Sequence, residues 1–167
     1  MLSLLDKIAK LEQQIVELRA EAEKEEKENK STNKRWRAKL LRQYWYVTDY
    51  CSISLGYAGS RFDDFHYDTH NYFHTEEEAQ KYANVLETER QLKKFADGHN
   101  DNKIDWANIN QEKWYLYYNY KCYQADIANY NLTKQPRVIY FSSGEIARQA
   151  IDTIGEDKIK EYLTYEW

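Results

Sequence analysis

The chain has 167 residues, enough for one packed domain plus an appendage, with 31% charged residues and a net charge of −4. It has no apolar run near the roughly 18 residues that suggest a membrane span, and no basic-then-apolar signal layout at its start. Its two cysteines, Cys51 and Cys122, are too few and too far apart for a disulfide framework or a CxxC metal knuckle, so the reading is a cytoplasmic protein.

Charge divides the chain in two. Residues 1–43 carry eleven Lys/Arg and eight Asp/Glu, or +3, whereas residues 44–167 carry thirteen and twenty, or −7. All sixteen tyrosines lie in the acidic part. Three segments follow from this: a helical arm over 1–29, a basic linker or helix extension over 30–43, and an acidic, Tyr-rich domain over 44–167.

In the arm, Leu4, Ile8, Leu11, Ile15, Leu18 and Ala22 recur at alternating spacings of four and three. That is a heptad with Ile8, Ile15 and Ala22 at a and Leu4, Leu11 and Leu18 at d, the pattern of a parallel two-stranded coiled coil. The expectation is a homodimer paired through residues 1–25, with a helix packed on its own domain as the alternative. Three heptads are marginal alone, so pairing needs support from the body or a partner. The tract that follows holds Lys34, Arg35, Trp36, Arg37, Lys39 and Arg42. It reads either as a phosphate-binding patch or as a linker whose Trp docks on the body.

In the body, residues 44–57 are aromatic and β-branched and predict a strand. Residues 60–73 fit a hairpin partner or an irregular loop. Thr75 followed by Glu78 is a capping box for a helix over about 76–97, which Gly98 would end. Residues 113–120 alternate as a strand, with Trp114, Leu116, Tyr118 and Tyr120 on one face and Tyr115 and Tyr117 on the other. Residues 122–130 and 137–141 predict two more strands. Ser142 and Glu145 form a second capping box, opening a helix that Gly155 ends before a short one over 156–163. The expected fold class is therefore α+β: a coiled-coil helix, then a small antiparallel sheet with helices packed on one face.

Chemistry-bearing patterns are sparse. His66, His70 and His74 recur every four residues, but they precede the helix cap, so a solvated loop outweighs a metal site. Asp63 and Asp64 lack any nuclease spacing, and neither cysteine has an activating neighbour. No nucleotide-binding glycine loop is present. No catalytic residue, metal site or cofactor is expected, and an enzyme is not expected.

Three segments carry a resemblance: YFHTEEEAQKYAN; LKKFADGHND through IDW to INQEKWYLYYNY; and IYFSSGEIARQAIDTIGEDKIKEYL. In this order they resemble a group of small, Tyr-rich, mostly uncharacterised proteins from phages and prophages of Gram-positive bacteria, over residues 44–167. The resemblance implies a bacterial host cell, and it leaves the arm and basic tract outside the shared pattern. Joined to the acidity of the body, it points to a non-enzymatic accessory protein that binds and inhibits a host bacterial protein. An anti-CRISPR or other anti-defence inhibitor, imitating nucleic acid with an acidic aromatic surface, is the specific form. The candidate partner-binding residues are Tyr115, Tyr117, Asp63, Asp64 and Asp49. The alternatives are a nucleic-acid binder using the basic tract and the aromatic sheet face, and a dimeric scaffold.

Overall fold

A computed structural model of the chain describes residues 8, 10–20, 35–100, 104–130 and 133–166. Residues 10–20 form helix α1. The body then runs β1 (Gln43–Val47), β2 (Ile53–Tyr57), α2 (Asp63–Asp68), α3 (Glu76–His99), β3 (Trp114–Asn119), β4 (Gln124–Asn129), β5 (Tyr140–Phe141), α4 (Gly144–Ile154) and α5 (Glu156–Thr164). The class is α+β, with two small antiparallel sheets, β1-β2 and β4-β3-β5, where a single sheet was expected.

The first departure lies in residues 44–57, which form a hairpin instead of one strand. Asp49, Tyr50 and Cys51 make the turn, with Cys51 in the left-handed region at φ 56°. Thr48 N–H donates to Ser52 O at 2.8 Å, and the two side-chain hydroxyls meet at 2.6 Å. Short hydroxyl and carboxylate side chains favour such turns over extended chain. The next segment is helical, not a hairpin partner, and Asp63 and Asp64 sit in the first turn of α2, where the helix dipole favours acids.

Helix α3 opens on the expected capping box. Thr75 accepts from Glu78 N–H, and the Glu78 side chain returns to the Thr75 backbone. The helix passes through Gly98 to His99, because the His99 ring stacks on Phe95 at 3.9 Å and extends the last turn. Helix α4 is capped by Ser143, whose hydroxyl accepts from Ile146 N–H at 3.2 Å. Ser142 is occupied otherwise, donating its N–H to Asn100 Oδ1 at 2.8 Å. Gly155, at φ 103°, joins α4 to α5 in a conformation that L side chains rarely adopt.

The larger core gathers Leu92, Phe95 and Ala96 of α3 with Leu116, Ala125 and Phe141 of the three-stranded sheet. Ile146, Ala147 and Ala150 of α4 and Ile159 of α5 complete it. Lys113 is fully buried beneath this sheet's leading edge. Its ammonium donates to Asn108 O at 2.6 Å and Gln111 O at 2.7 Å, and lies 5.6 Å from the Trp106 ring. Those bonds replace the water it gave up and pin the loop before β3.

The β1-β2 hairpin is packed on both faces. Val47 joins Ala79 and Ala83 of α3 on one side. Tyr44 joins Ala38, Ala58 and Tyr72 on the other. Residues 35–38 therefore belong to the body's packing. Across the hairpin Tyr44 faces Gly56, and a Cβ built there would sit 2.4 Å from Tyr44 Cζ. The glycine exists to admit the ring. Gly56→Ala is expected to cost about 1–3 kcal/mol in urea denaturation through overpacking against a tyrosine that cannot yield.

Candidate functional site

The basic tract turns inward. Arg35 donates from Nη1 to Tyr67 O and from Nη2 to Tyr72 O, the latter at 3.4 Å, with its guanidinium 4.9 Å from the Tyr67 ring centroid. Arg37 pairs with both Asp63, at 3.0 Å, and Asp64, and its guanidinium lies 4.7 Å from the same ring. Trp36 packs on Tyr72 and on His74, with ring centroids 5.7 and 4.4 Å away. Lys39 and Arg42 are exposed. Lys34 lies outside the described residues. Three of the six candidate basic-patch residues thus fasten the tract to α2 and the segment after it.

Asp63 is the centre of that junction, with its side chain 8% exposed. Burial alone would raise its carboxyl, but the Gly59 N–H at 2.9 Å and the Arg37 guanidinium hold it below the ordinary carboxylate range. Burial and the adjacent Asp63 carboxylate push the Tyr72 phenol up. Asp63 and Asp64, read from sequence as partner-facing, are engaged by Arg37. Asp49 stands exposed in the β1-β2 turn, on another part of the body's surface.

Tyr115 and Tyr117 share the outer face of the three-stranded sheet, with Ala128 and Asp126 opposite them on β4 and Tyr140 beside Tyr115 on β5. Trp106 meets Tyr140 edge-on at 4.8 Å and covers that end. Tyr115 and Tyr117 are half-buried. Tyr117 donates its hydroxyl to Asp126 Oδ2 at 3.1 Å, and partial burial together with that carboxylate pushes its phenol up. The Ile127 N–H, 2.8 Å from Oδ1, is the main cause that holds the Asp126 carboxyl below its usual range. This face can stack and accept hydrogen bonds. Tyr120, expected on the same strand face as Trp114 and Leu116, is instead 73% exposed in the β3-β4 turn.

The histidines part company. His66 takes the Tyr44 hydroxyl at Nδ1, at 2.8 Å, and stacks on Tyr46 with centroids 4.1 Å apart. Burial pushes its pKa down. His70 is exposed, and His74 lies against Trp36. Among the described residues no group of three His, Cys, Asp or Glu could hold a metal ion. No described helix is long and apolar enough to cross a membrane.

Every described residue of α1 is exposed, including Leu11, Ile15 and Leu18. Ile8 is exposed as well, whereas Leu4 and Ala22 lie outside the described residues. Sequence reading missed the polar links that close the hairpin. Asn71 accepts from Val47 N–H at 2.7 Å and donates to Val47 O at 2.6 Å. An isolated Asn in a stretch read as a hairpin partner or an irregular loop offers no signal of that role. Compared with family models, curated proteins and solved structures, the chain matches none, so the phage and prophage resemblance carries no support from these comparisons.

Removing Arg37 while leaving Asp63 buried is expected to cost about 1–2 kcal/mol, less than for a fully buried pair because the Arg37 side chain is 40% exposed and water can take its place. Arg37→Met will lose stability in urea denaturation, and Asp63→Asn on that background will restore part of it. The pH dependence has two steps. His66 is depressed, so its contribution is complete above the ordinary histidine value of 6.5 and is lost as the pH falls through the lower folded value. Asp63 is depressed too, so its contribution persists to below 3.8 and is lost only there. His66→Gln will flatten the first step and leave the second.

Proposed function

We propose that this chain is a non-enzymatic interaction protein that pairs through its N-terminal helix and presents an acidic, aromatic sheet face to a protein partner. The observation that carries the reading is the outer face of β3-β4, where half-buried Tyr115 and Tyr117 stand beside Asp126. Tyrosines that combine a rigid apolar ring with a polar tip are favoured as interface anchors. The acidity of residues 44–167 favours a basic partner.

Pairing is supported by the exposed stripe of Ile8, Leu11, Ile15 and Leu18, 44–63% accessible in the single chain. A second copy would remove those side chains from water as a parallel coiled coil. In its specific form the proposal is an inhibitor of a host bacterial protein that handles nucleic acid, such as a CRISPR-Cas effector, in the bacterial cytoplasm. The inhibitor would occupy the cleft that nucleic acid uses.

The alternative, direct nucleic-acid binding through the basic tract, is disfavoured by one observation. Arg35 and Arg37 already serve backbone carbonyls and the two aspartates. Phosphate contacts would have to displace them.

The test is competition on a purified CRISPR-Cas effector. The chain is expected to block DNA binding by the effector in proportion to its amount, with Tyr115→Ser/Tyr117→Ser weakening the block at least about tenfold. Its own affinity for single- or double-stranded DNA is expected to be negligible at physiological salt. Micromolar DNA binding that weakens steeply with salt would instead establish the nucleic-acid reading.

A further inference from the structure

The sheets present outer edges that are treated differently. An outward-facing row of N–H and C=O groups is a template for another strand, and proteins ordinarily blunt it. On β1 the row is closed at Trp45 and Val47. Trp45 exchanges both backbone hydrogen bonds with Phe73, at 2.9 and 2.8 Å, and Asn71 takes both backbone groups of Val47. On β4 the outward Ile127 N–H is capped by the Asp126 carboxylate, which also sets a negative charge on that edge.

The outer edge of β2 has neither device at Ile53 and Leu55, and at its end Tyr57 O accepts one bond, from Ser60 N–H at 3.1 Å. Arg42, Tyr44, Tyr46 and Thr48 look inward to Ala58, Gly56, Ser54 and Ser52. That alternation turns the backbone groups of Ile53, Leu55 and Tyr57 outward. Among the described residues, none pairs with the N–H or C=O of Ile53 or Leu55. The strand ISLGY contains no charge and no proline. Leu55 is 42% exposed and Tyr57 54%.

We propose that this edge pairs with the β2 edge of a second copy, antiparallel about a two-fold axis at Leu55, joining two hairpins into a four-stranded sheet. Self-complementarity selects this occupant. The outward-facing positions have the parity an antiparallel pair needs, with Leu55 opposite Leu55 and Ile53 opposite Tyr57. Apolar side chains meet apolar side chains, and no like charges oppose. Beyond the strands, the same symmetry brings the turn carrying Asp49 alongside the partner's turn carrying Arg61, both exposed and opposite in charge. The contact is independent of α1 and would provide the support that three heptads lack.

The test uses the full chain. Amide exchange by NMR is expected to show Ile53 and Leu55 protected at high protein concentration, with protection falling on the order of tenfold on dilution. Leu11→Glu/Leu18→Glu, which disables α1, is expected to leave a dimer by sedimentation, and adding Leu55→Lys to yield a folded monomer. Leu55→Lys alone abolishes the edge protection whether or not α1 still pairs the chains. The proposal is overturned if the α1 variant is monomeric with edge amides exchanging freely, an outcome that leaves the α1 reading standing. Protection that does not depend on concentration overturns it too, since the edge would then be covered within one chain.

Discussion

A single carboxylate organises the first half of the body. Asp63 is withdrawn from water, which is costly for a charge unless it is paired and hydrogen-bonded. Arg37 from the tract and the Gly59 N–H from the turn after β2 both converge on it. That convergence seats residues 35–38 against α2 and sets Tyr72 over Tyr44, ring on ring at 3.9 Å. Tyr44 in turn dictates Gly56 and holds His66. The tract, α2 and one face of the hairpin therefore depend on one buried charge.

The second half is held by apolar burial instead. Leu116, Phe141, Ala147, Ala150 and Ile159 are nearly or wholly buried, and the sheet they pack against leaves Tyr115 and Tyr117 on its other side. Helix α3 serves both halves, with Ala79 and Ala83 against the hairpin and Leu92 and Phe95 in the larger core. One long helix thus acts as the spine on which an electrostatic knot and an apolar core are mounted. Function is proposed at the surfaces that remain: an aromatic sheet face, an uncapped strand edge and an apolar helix stripe.

Local signals in the sequence carried well where the structure is local. The Thr75–Glu78 capping box, the alternation of residues 114–119 and the stripe of α4 each depend on neighbours within one element. What could not be read was long-range. Nothing in KRWR or RFDDF says that Arg37 and Asp63, 26 residues apart, neutralise each other. Arg37 and the acidic pair therefore looked like parts of two binding patches, whereas they pair with each other, Asp63 buried and Asp64 at the surface. The strand predicted over 137–141 is there but shorter, only Tyr140–Phe141, because Pro136 and the left-handed Arg137, at φ 62°, turn the chain just before it.

The central claim is that Arg35 and Arg37 of the basic tract are spent on the fold, which is why the protein is read as facing a protein partner. It is tested most directly by carbon-detected NMR titration of the Asp63 carboxyl in the intact chain, with the Arg37 guanidinium protons followed alongside. The account predicts a midpoint below the ordinary carboxylate value of 3.8, with Arg37 protons protected until Asp63 is neutralised. A midpoint at or above that value, with Arg37 protons exchanging as those of a free side chain, would contradict it.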